Sequence, residues 1–219
     1  MAVVSHFRCC FTDPGSVPSS AVCLSNASDE EELRFCSYCN SFKPPRAHHC
    51  SQCKRCIIRM DHHCPWTNNC IGYRNMKYFI LFLGYVVAMC VFMLLMDFFR
   101  FFYILKHLEE EPRFYILCTV FTMSLSCIFV GFAGSMLSET LQSIRSNTTT
   151  IDRLQGMVYR ATKNPFAAYF GGDGTFSVEW LVPVAPRFLQ EEELRGYRLG
   201  EVCFVCSIYI FYIWVNDGI

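Results

Sequence analysis

This sequence has few charged residues. Only 17% of its 219 residues are Asp, Glu, Lys or Arg, against roughly 25% in ordinary soluble proteins. The 19 basic and 19 acidic residues cancel each other, so the chain has no excess positive charge to attract a nucleic-acid backbone. The composition therefore argues against an ordinary soluble fold and against a nucleic-acid partner.

A long apolar run is also lacking at the start of this sequence. Met1 to Val4 are followed at once by the polar residues Ser5, His6 and Arg8, so we expect no secretory signal here. The 15 cysteines are compatible with a secreted disulfide framework or with metal binding in a reduced protein. Because we expect no signal, we expect the cysteine-rich part to be reduced and cytosolic.

Two long stretches have no charged residue at all. The first covers residues 79–96 and the second residues 114–137. A bilayer core of about 30 Å takes about 20 helical residues, so each stretch predicts a membrane-spanning helix, and the first is expected to continue to Leu105. The alternative for each stretch is a buried helix of a soluble protein.

The basic residues around these stretches predict their orientation. Five of them precede the first stretch and two follow the second, whereas the short link contains only Lys106 and Arg113. Basic residues are enriched in cytoplasmic segments, so we expect both outer flanks in the cytosol and the link in the lumen. The outer basic residues are Lys54, Arg55, Arg59, Arg74, Lys77, Arg145 and Arg153.

Residues 36–70 contain more candidate metal ligands than two metal sites need. A structural zinc site has four Cys or His ligands, often with a Cys-x2-Cys pair, and three such pairs occur here. Two sites take eight ligands, and eleven candidates are present, so three are left over. The candidates are Cys36, Cys39, His48, His49, Cys50, Cys53, Cys56, His62, His63, Cys64 and Cys70.

The candidate ligands beyond the eight that two zinc sites need include a possible nucleophile. Cys64 has no Cys-x2-Cys partner, and it follows Asp61 and His62 closely. An imidazole activates a nearby thiol, and a carboxylate beside the imidazole fixes its tautomer. Asp61, His62 and Cys64 are thus expected to act as orienting residue, base and nucleophile. The alternative makes Cys64 a zinc ligand and leaves His62 without a role.

Two further cysteines precede the zinc-ligand region. Cys9 and Cys10 lie between Phe7 and Phe11, which is compatible with lipid attachment near a membrane. Two unmodified thiols are the alternative.

These residues together resemble a known family, the DHHC protein S-acyltransferases (palmitoyltransferases). The resemblance runs through the Cys and His pattern of residues 36–70 to Asn75 and Phe79, and it also covers Asp13-Pro14-Gly15, both apolar stretches, a threonine motif and residues 164–183. In this family a cysteine takes a fatty acyl group, usually palmitoyl, from acyl-CoA and passes it to a cysteine of a membrane-associated protein.

The resemblance implies a role for each residue of the zinc-ligand region. One zinc ion is expected on Cys36, Cys39, His49 and Cys56, and a second on Cys50, Cys53, His63 and Cys70. Cys64 is then the nucleophile, His62 its base and Asp61 the residue that polarises His62. Palmitoyl-CoA is the implied donor, and the implied partners are membrane-associated proteins with cytosolic cysteines and the lipid bilayer.

Two features depart from the family pattern. The motif Thr-Thr-x-Glu appears as Thr149-Thr150-Ile151-Asp152, with the shorter carboxylate. The family has two membrane helices before Asp-Pro-Gly, whereas twelve residues precede Asp13. The resemblance therefore implies a shortened form that keeps the third and fourth helices.

The expected fold is an α-helical multi-pass membrane protein with two transmembrane helices and a cytosolic, zinc-bound cysteine-rich domain of little regular secondary structure. We expect it in the Golgi or endoplasmic reticulum, with the plasma membrane as the alternative. A membrane-tethered zinc module that binds partners, or an inactive truncated isoform, are the alternative functions. The predicted segments are an N-terminal cytosolic segment (1–35), the zinc domain (36–77), a first span (78–105), a luminal loop (106–113), a second span (114–137), a cytosolic region (138–200) and an apolar tail (201–219).

Overall fold

The computed structural model describes residues 1–24, 34–107, 112–159, 164–173, 175–188 and 191–199. These divide into two compact units. Unit 1 comprises Met1–Pro14 and Met60–Leu189, and unit 2 comprises Gly15–Arg59 and Gln190–Ile219. The predicted apolar tail lies outside the described residues.

In the described part of the chain, seven short strands follow the first helix, and the other helices come after them. Two helices are much longer than the others, and no described strand exceeds four residues. In order, the elements are α1 (Ala2–Phe11), β1 (Ala21–Val22), β2 (Phe35–Cys36), β3 (Ser41–Phe42), β4 (Ala47–Cys50), β5 (Arg55–Ile58), β6 (His62–Cys64), β7 (Asn69–Ile71), α2 (Met76–Lys106), α3 (Arg113–Arg145), α4 (Thr150–Leu154), α5 (Ala167–Phe170), a 3₁₀ turn (Val178–Leu181), α6 (Glu191–Arg195) and β8 (Arg198–Leu199).

Unit 2 is built from small antiparallel strand pairs. β1 pairs with β8, β2 with β3 and β4 with β5. The turns of the last two pairs contain Asn40 and Lys54 in the left-handed region, each with φ of 52°, which non-glycine residues adopt uncommonly. The sequence analysis did not predict these hairpins, because strands of two to four residues are too short to show an alternating apolar pattern.

In unit 1, a hairpin contacts the end of the short helix α1. β6 pairs with β7, so that His63 faces Cys70 and Cys64 faces Asn69. The Nδ2 atom of Asn69 donates to carbonyl oxygens at the end of α1, at 3.2 Å from Cys9 and 3.2 Å from Cys10. Carbonyls at a helix end lack a partner within the helix, so Asn69 connects α1 to the hairpin.

The two long helices, α2 and α3, correspond to the two apolar stretches. Both are long and apolar enough to cross a membrane, and only 22% and 17% of their most apolar windows are buried. They contact each other through Arg100, whose Nε donates to Thr119 Oγ1 at 3.0 Å. Many large apolar side chains on both helices are exposed, among them Phe92, Phe99, Leu117, Phe121 and Ile128.

Helix α3 continues beyond the predicted apolar stretch. It runs past Leu137 to Arg145, because Ser138 to Arg145 contains no proline or glycine and nothing in the sequence interrupts the helical hydrogen bonds. A tight connection then leads to α4. Thr149 caps α4 in a reciprocal manner: its Oγ1 accepts from the Asp152 amide at 3.2 Å, and Asp152 Oδ2 accepts from the Thr149 amide at 2.9 Å.

Candidate active site

The first predicted metal group is assembled within unit 2. Ligand atoms of Cys36, Cys39, His49 and Cys56 all lie within 4.8 Å of one another. His49 Nδ1 lies 3.2 Å from Cys39 Sγ and 3.7 Å from Cys36 Sγ. The β4–β5 pairing places His49 directly opposite Cys56, and the turn between β2 and β3 supplies Cys39.

These separations, which run from 3.2 to 4.0 Å, lie around those of a tetrahedral zinc site. Bonds of about 2.3 Å to sulfur and about 2.0–2.1 Å to nitrogen give ligand-to-ligand distances of about 3.5–3.8 Å in a tetrahedron. The 3.7 Å between Cys39 Sγ and Cys56 Sγ lies in that range, and three thiols with one imidazole form a common donor set for structural zinc. The described residues therefore meet the requirements of one structural zinc site.

The second predicted metal group is divided between the two units, and each half has its own geometry. In unit 2, the Cys53 amide donates to Cys50 Sγ at 3.4 Å, as in a tight Cys-x2-Cys turn. In unit 1, His63 Nδ1 lies 3.7 Å from Cys70 Sγ, since these residues face each other in the β6–β7 pair. Each half thus presents two of the donor atoms that zinc prefers.

Asp61 is buried and fully engaged as an acceptor. It is only 4% exposed. Its Oδ2 accepts a hydrogen bond from His62 Nδ1 at 2.9 Å, and its Oδ1 accepts from the Thr150 amide at 2.8 Å. Burial alone would raise the pKa of this carboxyl, but the hydrogen bonds from His62 and Thr150 outweigh burial and hold its pKa below the ordinary value. Asp61 is therefore ionised at neutral pH.

The bond to Asp61 fixes the tautomer of His62. An ionised carboxylate only accepts hydrogen bonds, so Nδ1 of His62 always carries a proton, and it is Nε2 that gains or loses the second proton of the ring. Nε2 is buried and has no hydrogen-bond partner of ordinary geometry among the described residues. The ring is held in place by Phe79, edge-on at 5.4 Å between centroids. Burial would lower the pKa of His62, yet Asp61 and Cys64 together raise it to about 9.

Cys64 is a buried thiol whose surroundings favour the thiolate. It is 1% exposed, and burial alone would raise its pKa. The neighbouring His62 and Thr67 outweigh burial and hold the pKa of Cys64 below its ordinary value. Since the thiolate is the nucleophilic form, the three side chains at positions 61, 62 and 64 have the arrangement of an orienting carboxylate, a base and a nucleophile.

An apolar cavity opens beside this thiol. It has a volume of about 220 Å³, and its wall includes Cys64, Trp66 and His6. The remaining wall comes from the two long helices, with Phe79, Phe82, Leu83 and Val86 from α2 and Phe129, Phe132, Ala133 and Met136 from α3. The cavity therefore offers an apolar ligand a place next to the Cys64 thiol.

The structure adds residues whose roles the sequence analysis did not assign. Thr150 makes two hydrogen bonds to Asp61, through its amide and through Oγ1 at 3.2 Å to Oδ2. The threonine motif had marked this region without indicating its target. His6 carried no sequence signal for a place in the cavity wall, because it lies far from Cys64 along the chain.

Comparison with known proteins shows which family of proteins this chain resembles. The model of the DHHC palmitoyltransferase family matches residues 29–157, which is more than half of the chain. Palmitoyltransferase ZDHHC3 of Homo sapiens is 38% identical over 207 residues, which cover 84% of this chain and 66% of that protein. Palmitoyltransferase ZDHHC7 of Mus musculus is 36% identical over 219 residues, covering 91% of this chain and 69% of the relative.

The chain belongs to the DHHC palmitoyltransferase family. A third relative, palmitoyltransferase ZDHHC3-A of Danio rerio, is 36% identical over 215 residues, covering 88% of this chain. The chain spans 65% of the length of that relative.

Proposed function

We propose that this chain is a membrane-embedded protein S-acyltransferase. It takes a palmitoyl group from palmitoyl-CoA onto Cys64 and passes it to cysteines of membrane-associated proteins. The observation that carries the proposal is the buried Cys64 thiol, with His62 and Asp61 behind it and an apolar cavity in front of it. An acyl chain in the cavity contributes about 0.8 kcal/mol for each CH₂ removed from water.

The first chemical step is a thioester exchange. Nε2 of His62 takes the proton of Cys64, and the thiolate attacks the carbonyl carbon of palmitoyl-CoA. The bond between that carbon and the sulfur of CoA breaks, and CoA leaves as a thiol after protonation by His62. Asp61 stabilises the imidazolium that forms in between.

The second step repeats the exchange with a protein thiol. The incoming cysteine gives its proton to His62 and attacks the carbonyl carbon of the Cys64 thioester. Cys64 is the leaving group and regains a proton. One base therefore serves both halves of the reaction, and the Asp61 contact that fixes the tautomer matters in each.

Zinc has a structural role in this proposal. The first ion is assigned to Cys36, Cys39, His49 and Cys56, and the family pattern assigns a second ion to Cys50, Cys53, His63 and Cys70. Bound zinc would supply folding free energy, roughly 10 kcal/mol or more for each ion. Cys64 is in neither set, which leaves its thiol to react.

The proposed setting is a membrane of the Golgi or endoplasmic reticulum. α2 and α3 cross the bilayer, with the link between them in the lumen and both outer flanks, including the zinc domain of residues 36–77, in the cytosol. The apolar, largely exposed surfaces of the two helices and the basic residues on the outer flanks support this placement.

Acyl loading of Cys64 tests the proposed function. The purified chain is incubated with an alkyne analogue of palmitoyl-CoA, and hydroxylamine-sensitive label is mapped by peptide mass spectrometry. Label is expected at Cys64 and is expected to disappear in Cys64→Ser, while Cys23→Ser, which changes a partly exposed thiol outside the site, keeps it. A folded, zinc-loaded chain without label would instead support the membrane-tethered zinc module.

A further inference from the structure

A second thiol lies next to the wall of the acyl cavity. Cys10 is partly exposed on α1, and its Sγ lies 3.8 Å from Nδ1 of His6 and 3.8 Å from Nε2. His6 itself is part of the wall that also contains Cys64. Only one side chain therefore separates the Cys10 thiol from the space in which Cys64 would carry its acyl group.

The end of α1 is held against the β6–β7 hairpin that carries Cys64. Asn69 faces Cys64 in the β6–β7 pair, and its Nδ2 lies 3.2 Å from the carbonyl oxygen of Cys10. A second contact joins the same parts, because His6 Nε2 lies 3.1 Å from the carbonyl oxygen of Trp66. The contact of the Cys10 carbonyl with Asn69 and the contact of His6 with Trp66 therefore hold Cys10 near the nucleophile.

The contact between His6 and the Trp66 carbonyl also selects the tautomer in which His6 can act as a base for Cys10. A carbonyl oxygen only accepts, so Nε2 of His6 donates to Trp66 and Nδ1 is unprotonated. The Cys10 thiol is equally distant from both nitrogens, at 3.8 Å, and Nδ1 is the one left to accept its proton. Cys9, one residue earlier, has no such exposure, since it is 0% exposed.

We infer that Cys10 is an acyl acceptor within the chain, which receives a long-chain acyl group from Cys64 with His6 as the base. The inference rests on the proposed function, because the acyl group must first be loaded on Cys64. It assigns to α1 a modification site distinct from the nucleophile.

The transfer is a balanced thioester exchange. Nδ1 of His6 takes the proton of Cys10, and the Cys10 thiolate attacks the carbonyl carbon of the Cys64 thioester. The bond from that carbon to Cys64 Sγ breaks, and Cys64 leaves as a thiolate that takes the proton from His6. No oxidant, reductant or further reactant is required.

The surroundings of Cys10 favour retention of the acyl group. Burial and the nearby Cys64 raise the pKa of the Cys10 thiol, and a more basic thiol is a poorer leaving group. On the same helix, Phe7 and Phe11 are 58% and 80% exposed and stack at 5.8 Å. An acyl chain on Cys10 would lie beside these rings and add to an apolar surface that suits a bilayer.

Time-resolved mapping of acyl label tests the inference on the full purified chain in detergent micelles. The protein is mixed with alkyne palmitoyl-CoA and quenched at intervals, and label is quantified at Cys64, Cys10 and the partly exposed control Cys23. Label is expected first at Cys64 and later at Cys10, with Cys23 unlabelled. Both Cys64→Ala and Cys64→Ser are expected to remove the label from Cys10.

Two variants test the role of Cys10 as acceptor and the role of His6 as base separately. Cys10→Ala is expected to carry label at Cys64 and none at position 10. His6→Asn is expected to lower the ratio of Cys10 label to Cys64 label by about a hundredfold, the low end of what a general base contributes. An unchanged ratio would overturn the assignment of His6 as the base.

The remaining outcomes distinguish the two proposals. Label at Cys64 without label at Cys10 overturns this inference and leaves the proposed function intact. Equal Cys10 label in the wild type and in both Cys64 variants overturns it as well, since the acyl group would then come directly from CoA. Absence of label at Cys64 overturns the proposed function, and this inference with it.

Discussion

Thr150 connects the threonine motif to Asp61, the carboxylate proposed to orient the base His62. Its amide and its hydroxyl both donate to Asp61, at 2.8 Å and 3.2 Å. Because Asp61 in turn accepts from His62, Thr150 acts on Cys64 through two intermediates. It is therefore a positioning residue.

Replacement of Thr150 by Val removes the hydroxyl donor and keeps the side-chain volume. We predict that the rate of acyl loading of Cys64 falls by about tenfold to a hundredfold, because a hydrogen bond to a charged group contributes roughly 1.5–3 kcal/mol. Thr150→Ser, which retains the hydroxyl, is expected to restore most of the rate. Single-turnover loading measures both, and equal rates in the two variants would show that the hydroxyl is not involved.

At the residue scale, local chemistry was predictable and distant contacts were not. The Cys-x2-Cys spacing of Cys36 and Cys39 marked them as candidate metal ligands, because such turns are local, and the family resemblance implied His49 and Cys56 as the other two ligands. The contact between Thr150 and Asp61 joins residues far apart in sequence, and no local pattern contains it. The substitution of Glu by Asp at position 152 left its contact open, and the structure shows that Asp152 completes the cap of α4.

At the scale of elements, the cavity depends on the small side chain of Ala133. This residue is 3% exposed on α3 and forms part of the cavity wall. Gly131, two residues away on the same helix, has no neighbouring atom within 4 Å of the position that a Cβ would take. The two positions therefore provide a matched pair for one substitution.

Ala133→Phe is predicted to fill the cavity and to shorten the acyl chains that Cys64 accepts. Loss of the space for two CH₂ groups removes about 1.6 kcal/mol, so the preference for palmitoyl-CoA over octanoyl-CoA should fall by about tenfold or more. Gly131→Phe is expected to keep the wild-type preference. Competition between the two donors measures it, and an unchanged preference in Ala133→Phe would contradict a role of this cavity in holding the chain.

Some of the structural elements could be predicted from the sequence and others could not. The two apolar helices were predictable, since each contains a charge-free run that suffices for a bilayer. The hairpins β2–β3, β4–β5 and β6–β7 were not, because they are held by short backbone pairings and by the proposed metal ligands and not by an alternating apolar core. The cavity was not predictable either, since it needs the packing of α1, α2 and α3.

At the scale of the whole molecule, the proposed orientation in the membrane can be tested by glycosylation. A flexible segment with an Asn-x-Thr sequon, inserted in the link between α2 and α3, is predicted to be glycosylated when the chain is made in endoplasmic reticulum membranes. The same segment inserted after Tyr159 is predicted to stay unmodified. Gel mobility with and without a glycosidase reports the result, and the reverse pattern would invert the topology.

The central claim is a division of roles in residues 36–70, where eight Cys and His residues bind zinc and Cys64 remains free to carry the acyl group. Measurement of zinc content and acyl label on the same preparations of the wild type and Cys64→Ala tests it most directly. The account predicts two zinc ions per chain in both proteins, and a hydroxylamine-sensitive label in the wild type alone. Loss of one zinc ion in Cys64→Ala would show that Cys64 is a metal ligand and would contradict the account.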